Sequence, residues 1–169
     1  REINILDNTQ MAIKILLNSL YGALGNKYFR YFEMKMAEGI TLSGQLSIKW
    51  AEKAVNDQLN KALNTKDVDY VIAIDTDSLY VDMSPVVEKM GKKDGVVDFL
   101  DKVCSKKIEP LLKKAYDNLY KHMNAYKPRM EMGREVIADR GVWTAKKRYI
   151  LNVYDNEGVR YTTPKIKVM

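Results

Sequence analysis

A single cysteine, Cys104, excludes an internal disulfide framework and suits a reducing compartment. It sits in an amphipathic stretch and reads as a small core residue. The one histidine, His122, has no His or Cys near it in sequence, so it reads as structural or exposed. No apolar run approaches the length of a membrane span, and no signal-peptide pattern opens the chain. Repeats, low-complexity tracts and Pro/Gly/Ser linkers are missing. Acidic residues are scarce toward one end. Residues 140–169 carry Arg140, Lys146, Lys147, Arg148, Arg160, Lys165 and Lys167 against only Asp155 and Glu157. The whole chain has 169 residues and a net charge of +6, enough for one domain with a sizeable core and a weak pointer to a polyanionic partner. A solvated basic face is the plainer reading of that charge. The chain starts on Arg1-Glu2-Ile3-Asn4 and finishes on a strand-like Lys165–Met169, so both ends read as cut from something longer.

What is present is concentrated at Ile74-Asp75-Thr76-Asp77-Ser78, between the strand-like runs Tyr70–Ala73 and Leu79–Val81. Two carboxylates two residues apart in a tight turn put negative charge beside a hydrophobic sheet. That is costly unless a cation neutralises it. Hard divalent ions take such oxygen ligands, often one or two carboxylates together with substrate phosphates. The motif therefore predicts a metal site that handles phosphate. The plainer alternative is an Asp-rich hairpin turn, since Asp, Thr and Ser favour turns anyway.

The pattern around this motif predicts an α+β fold. A first helix runs from about Thr9 to Leu24, capped by Asp7 or Asn8 with Gln10 reaching back, and ended by Gly22 and Gly25. Its apolar face is Ile13, Leu16, Leu17, Leu20 and Leu24. Tyr28–Phe32 reads as a short aromatic strand. A long helix follows from about Lys35 to Leu63, with Leu42, Leu46, Trp50, Ala54, Val55, Leu59 and Ala62 on one face. After the hairpin of residues 69–83 comes a charged loop, Gly91–Gly95. A second long helix spans about Val96–Met123, interrupted near Glu109 by Pro110. Three strands close the chain: Arg129–Ala138, Ala145–Tyr154 and Val159–Val168. Asp155-Asn156-Glu157-Gly158 serves as a four-residue hairpin connection, and Pro164 marks an edge strand. The expected architecture is a mostly antiparallel sheet covered on one face by two long helices, with an extra helix in front.

Two further constellations carry chemistry. Lys14, Asn18 and Tyr21 fall at i, i+4 and i+7 on the first helix and project from one side. Lys14 offers a positive charge for phosphate, Asn18 donates and accepts at a base or sugar edge, and Tyr21 offers a ring and a hydroxyl. Gly22 allows close backbone approach. An ordinary solvated helix face is the alternative. Lys146-Lys147-Arg148-Tyr149 lies inside a predicted strand, which puts Lys146 and Arg148 on one face and Lys147 and Tyr149 on the other. A basic and aromatic pair suits a nucleic-acid backbone. A charge-guarded edge strand is the plainer reading.

Taken together, Lys14-x-x-x-Asn18-Ser19-Leu20-Tyr21-Gly22, Asp75-Thr76-Asp77-Ser78 and Lys146-Lys147-Arg148-Tyr149 resemble the family B DNA polymerases. Asn18–Asn26 and the Lys-Lys-Arg-Tyr block look closest to the T-even bacteriophage branch. The resemblance spans nearly the whole chain. It implies that residues 1–25 are the last helix of the fingers and residues 26–169 most of the palm. It implies a template-directed enzyme that adds deoxynucleotides to a primer 3′ end with two Mg²⁺ ions, Mn²⁺ being an alternative. Asp77 would be the shared ligand of both metals with Asp75 beside it, and Glu135 a nearby carboxylate. Lys14 would hold the triphosphate, Asn18 would pack at the nascent pair, and Tyr21, next to Gly22, would check that pair. Lys147 and Tyr149 would grip the primer strand, supported by Lys146 and Arg148. Implied partners are primer–template DNA, deoxynucleoside triphosphates, an N-terminal exonuclease, palm and fingers portion, a thumb, a sliding clamp and other replication proteins. No membrane is implied; the implied setting is the cytoplasm of a bacterial host, without secretion.

The chain departs from the family pattern in stated places. No Asp-x-x-Ser-Leu-Tyr-Pro segment, which carries the family's other metal-binding aspartate, is present. Ala73 and Ile74 stand where Tyr and Gly are usual, and the β-branched Ile74 is expected to narrow the space beside Asp75. The chain alone is therefore expected not to polymerise at a useful rate. Two other classes remain open. A palm-fold nucleotidyl cyclase accounts for the acidic turn but not for the other two motifs. A non-catalytic nucleic-acid-binding module predicts duplex binding that ignores Mg²⁺ and survives Asp77→Ala.

Overall fold

The computed structural model describes residues 2–91 and 94–169. Arg1, the first residue of the expected fingers segment, lies outside them, as do Lys92 and Lys93 of the expected Gly91–Gly95 loop. The element order is α1 (Glu2–Leu24), α2 (Met34–Leu63), β1 (Val71–Asp75), β2 (Ser78–Val81), α3 (Ser84–Lys89), α4 (Val96–Val103), a π turn (Cys104–Ile108), α5 (Glu109–His122), β3 (Val136–Ala145), β4 (Arg148–Asn156) and β5 (Val159–Val168). The chain is α+β with antiparallel strands, as its sequence predicts. The strands form two sheets, β1–β2 and β3–β4–β5, where a single sheet was expected. Two compact units divide the chain, Arg1–Leu46 and Ser47–Met169.

In the first unit, α1 begins well before the expected caps. Asp7 and Asn8 lie inside the helix, and Thr9 Oγ1 donates to the Ile5 carbonyl at 2.7 Å, a bond made by a mid-helix residue. Gly22 is also helical. The aromatic run Tyr28–Phe32 is not a strand. Phe29 N bonds the Asn26 carbonyl at 2.9 Å and Phe32 N the Phe29 carbonyl at 3.0 Å, which makes successive turns. Aromatic residues favour strands only where a partner and a packed face exist. Tyr28 is 85% exposed and has neither.

In the second unit the core-facing stripe of α2 is Ile48, Ala51, Val55 and Leu59, and α5 contributes Leu112, Ala115, Tyr116 and Leu119. Leu42, expected on the α2 stripe, is exposed in the first unit. The Trp50 ring stacks on His122 at 5.7 Å, joining α2 to the end of α5. Pro110 interrupts the second long helix where expected. Pro110 has no N–H and crowds the carbonyl four residues back. The helix answers with the π turn, in which Glu109 N bonds the Cys104 carbonyl five residues earlier. Burial pushes the Cys104 thiol above its ordinary value, in keeping with a packing role.

Asn56 and Asn60, one turn apart on α2, receive the chain entering β1. Asn60 Nδ2 donates to the Val68 carbonyl at 2.7 Å, Val68 N donates back to Asn60 Oδ1 at 3.1 Å, and Tyr70 N donates to Asn56 Oδ1 at 2.9 Å. Side-chain amides thus supply the backbone partners that a neighbouring strand otherwise gives. This fixes the β1–β2 hairpin on a rigid helix.

The three-stranded sheet differs from expectation in register. The first strand is β3, Val136–Ala145, seven residues later in its start and end than expected. Lys146 and Lys147 are therefore the two-residue turn between β3 and β4, with Ala145 paired to Arg148. The last connection is also shorter than expected. Glu157 and Gly158 alone form it, with φ of 50° and 86°, the positive pair that a two-residue turn of this hand requires. β5 pairs only with β4, so Pro164 does sit on an edge strand. The inner face of β4 is Tyr149, Leu151 and Val153.

Candidate active site and nucleic-acid interface

The acidic motif forms a two-residue turn closing β1 onto β2, with Asp75 paired to Ser78. Asp77 N donates to the Asp75 carbonyl at 2.6 Å, and Thr76 sits at φ 51°. A β-branched residue in the left-handed region is strained, and such strain collects at functional turns. Thr76 Oγ1 donates to Asp75 Oδ1 at 3.1 Å, and Ser78 Oγ donates to the Asp75 carbonyl at 3.1 Å. Asp75 is half-buried and Asp77 exposed.

Pairing sets the faces. Asp75 opposes Ser78 and Ala73 opposes Tyr80, so Ala73, Asp75, Ser78 and Tyr80 share one side of the hairpin. Ile74 opposes Leu79 on the other side and is 39% exposed. The expected crowding of Asp75 by Ile74 is therefore relieved by strand alternation.

Tyr80 carries the hairpin onto the second sheet. Its ring meets Trp143 edge-on at 5.3 Å and Tyr149 at 5.4 Å. Burial first, then the neighbouring Tyr149 side chain, pushes its ionisation up from 10.0 to about 12, with Asp75 adding a smaller push. Trp143 packs where Gly141 leaves room. A Cβ on Gly141 would lie 2.7 Å from both the Trp143 ring and a Leu151 methyl.

The basic motif is thus brought to the acidic hairpin within the second unit, though not in the expected form. Lys146 and Lys147 are turn residues, exposed, with Lys147 at φ 62°. Arg148 is exposed at the start of β4. Tyr149 is only 6% exposed and is packed among rings, so it can place the turn but presents little surface of its own. The strand reading failed because Lys146-Lys147 has none of the Gly or Asn that usually mark a two-residue turn.

Glu135 is exposed and engaged elsewhere, with Lys167 Nζ at 2.7 Å. Among the described residues no group of three Asp, Glu, His or Cys side chains gathers at metal-binding spacing, so Glu135 does not complete a cluster with Asp75 and Asp77. Those two carboxylates by themselves fit Mg²⁺, which binds through one or two carboxylates and fills its shell with water and phosphate oxygens.

Lys14, Asn18, Tyr21 and Gly22 all lie on α1 in the first unit, exposed and on the expected spacing. Tyr21 shares a 2.7 Å hydrogen bond with Thr41 Oγ1 of α2. Beside it opens a mostly apolar cleft of about 400 Å³ lined by Tyr21, Gly22, Met34, Ala37, Thr41 and Leu42, among others. A Cβ on Gly22 would meet nothing within 4 Å, which leaves the backbone open to approach.

Behind the site, Asp155 is fully buried on β4. Arg134 pairs with it directly, Arg160 Nη1 lies 3.2 Å from Oδ2, and Gly158 N donates to Oδ1 at 3.1 Å. Both arginines continue to α4, where Arg134 Nη2 is 2.8 Å from Asp101 and Arg160 Nη2 is 3.0 Å from Asp98. Burial works against the Arg134 charge, but the Asp155 and Asp101 carboxylates outweigh it and raise its ionisation. Sequence reading missed both this network and Tyr80. The signal for Tyr80 was strand alternation, which places it with Ser78 and Asp75.

The model of DNA polymerase family B matches residues 1–163. The chain belongs to that family. Within it, the chain is 42% identical over 178 residues to the DNA-directed DNA polymerase of Enterobacteria phage T4, a match covering 98% of this chain and 20% of that protein. It is 41% identical over 173 residues to the DNA-directed DNA polymerase of Escherichia phage RB69, covering 95% of this chain and 19% of that one. The DNA polymerase beta of an African swine fever virus isolate is 29% identical over 153 residues. The chain resembles the T4-like branch, and it spans about a fifth of the length of the phage relatives.

Proposed function

We propose that this chain carries the carboxylate-bearing palm segment and the last fingers helix of a template-directed DNA polymerase. The observation that carries the reading is the ring contact of Tyr80 with Tyr149. It ties a strained carboxylate turn to an exposed Lys-Lys turn within one compact unit. Phosphoryl transfer asks mainly for positioning and charge neutralisation, and this pairing supplies elements of both.

In this reading Asp77 and Asp75 hold Mg²⁺, or Mn²⁺, which when bound offsets the charge on the transferring phosphoryl group. Thr76 and Ser78 orient the Asp75 carboxylate and its carbonyl. Lys146, Lys147 and Arg148 meet the phosphates of the primer strand. Tyr149 holds that turn in place from beneath. Lys14 takes the triphosphate, while Asn18, Tyr21 and Gly22 border the base pair being formed. Glu135 joins the carboxylates only on release from Lys167. The partners are primer–template DNA, deoxynucleoside triphosphates and the exonuclease, fingers, thumb and clamp elements of a replication complex in the cytoplasm of a bacterial host. Residues 1–25 act as fingers and residues 26–169 as palm.

The chain alone is inactive in this reading, because two carboxylates are too few for two ions. The test is primer extension with Mg²⁺ by the chain alone and by the chain mixed with the preceding portion of a phage polymerase. Extension in the mixture only, abolished by Asp77→Ala with duplex affinity kept within about twofold, is the expected result. Extension in neither, with duplex binding that ignores Mg²⁺, would leave a binding module instead.

A further inference from the structure

The continuous helical stretch of α4, the π turn and α5 has two contrasting sides. Leu100 and Val103, half-buried, and Leu112, Ala115, Tyr116 and Leu119, buried, form the inner one. Lys102, Lys106, Lys107, Lys114 and Lys121 are exposed. Among the described residues none of these lysines has an ion pair. Nearby carboxylates are engaged by other groups. Arg134 and Arg160 hold Asp101, Arg160 also holds Asp98, and Glu109 accepts from the Arg134 amide at 3.1 Å.

The π turn decides how the lysines line up. Lys102 and Lys114 stand twelve residues apart, which is about three and a third turns of a regular helix and would put them on different sides. The π turn absorbs one residue, because Glu109 N reaches the carbonyl five back rather than four. Eleven effective residues remain, or about three full turns. Lys121 follows seven residues after Lys114, or about two turns. Lys102, Lys114 and Lys121 therefore form one outward stripe roughly 27 Å long, flanked at the turn by Lys106 and Lys107.

We propose that this stripe docks an acidic helical segment of a partner protein. Its lysines recur at whole helical turns, so a straight helix laid alongside can meet them with carboxylates at the same spacing. Complementary charge of this kind sets orientation and encounter rate. A duplex backbone fits less well. Its phosphates are negative throughout, whereas Asp117 stands between Lys114 and Lys121, and Asp98 lies one turn before Lys102. Residues 96–123 also hold no arginine, the residue best shaped to grip phosphate.

The probes are a helical peptide of about 25 residues, with glutamates spaced eleven and seven apart on one side, and an isomer with the same glutamates spread around the helix. Anisotropy titrations use the whole chain at low salt. The aligned peptide should bind, and the triple variant Lys102→Gln, Lys114→Gln, Lys121→Gln should weaken it about tenfold, as expected for three exposed pairs. The triple variant Lys49→Gln, Lys53→Gln, Lys61→Gln makes the same charge change on exposed lysines of α2 and should weaken it by no more than about twofold. Failure of the aligned peptide to bind overturns the proposal. Equal losses in the two variants, or equal binding by the isomer, show net charge alone and overturn it too. The stripe variant should leave the salt slope of duplex binding unchanged. A slope flattened by about two or more makes this a nucleic-acid surface and overturns the protein partner. Amide resonances of the wild-type chain give a readout that needs no variant. Peptide-induced shifts should centre on Lys102, Lys107, Lys114 and Lys121, and shifts centred elsewhere overturn the proposal.

Discussion

Asp155 was read from sequence as the opening residue of a surface turn, where aspartate is common. It is instead fully buried in β4, and its cost is met by Arg134, Arg160 and the Gly158 amide. Removing one partner of a buried pair leaves the others uncompensated, at about 3–5 kcal/mol. Asp155→Asn should therefore lower the unfolding free energy by about 3 kcal/mol, measured by urea titration. Nothing local in the sequence distinguishes this aspartate from a turn residue; the distinction comes from arginines 21 residues before it and five after it. Tyr80 makes a prediction of the opposite kind, in alkali. Its ionisation is raised on folding from 10.0 to about 12, so its neutral form is favoured by the native state. The associated stability is complete below about pH 10 and is lost as pH climbs through about 12. In urea titrations wild type should accordingly lose stability relative to Tyr80→Phe over that window. By contrast, the tight turn that holds Asp75 and Asp77 and the shared helix of Lys14, Asn18 and Tyr21 were legible, because local spacing places them without reference to distant chain.

Elements were legible where one face repeats and where a breaker has a single meaning. The α2 helix, the β1–β2 hairpin, the interruption at Pro110 and the edge position of β5 follow from such signals. The β3–β4 hairpin did not, because its turn is two lysines, and lysine is a common strand-edge residue. One internal clue was Gly141. A glycine inside a strand signals close approach, and here the Trp143 ring and Leu151 occupy the space a Cβ would need, at 2.7 Å. Gly141→Ala should destabilise the sheet by about 1–3 kcal/mol, the usual cost of overpacking. Tryptophan fluorescence should change with it, as Trp143 is pushed from Tyr80. An unchanged unfolding midpoint would show that the ring moves aside freely. The aromatic segment Tyr28–Phe32 carries the complementary lesson. Strand propensity without a partner strand yields turns.

At the scale of the molecule, charge tests the polymerase reading separately from chemistry. If Lys146 and Arg148 each neutralise a phosphate, Lys146→Gln and Arg148→Gln should each flatten the plot of log duplex affinity against log salt by about 0.9. Replacing Lys106, exposed on the π turn, should lower affinity at most slightly and leave the slope unchanged. A solvated basic face would instead leave all three slopes alike. The family itself was the most legible property, since three motifs in order outweigh any single ambiguous turn. The single sheet that the strand count suggested proved to be two, joined through side chains at Tyr80. Side-chain bridging of that kind leaves no periodic trace in a sequence.

The π turn at Cys104–Ile108 bears on how this chain is compared with its relatives. Such a turn amounts to one residue inserted into an otherwise regular helix, and one residue of an α-helix is worth roughly 100° of rotation. A helical wheel drawn straight through Val96–His122 therefore assigns wrong sides to everything on its far half. A relative lacking the turn would align best with a one-residue gap there, flanked by matching faces on either side. A single-position gap inside a helix ordinarily signals a misplaced alignment; in this stretch it would be a correct one.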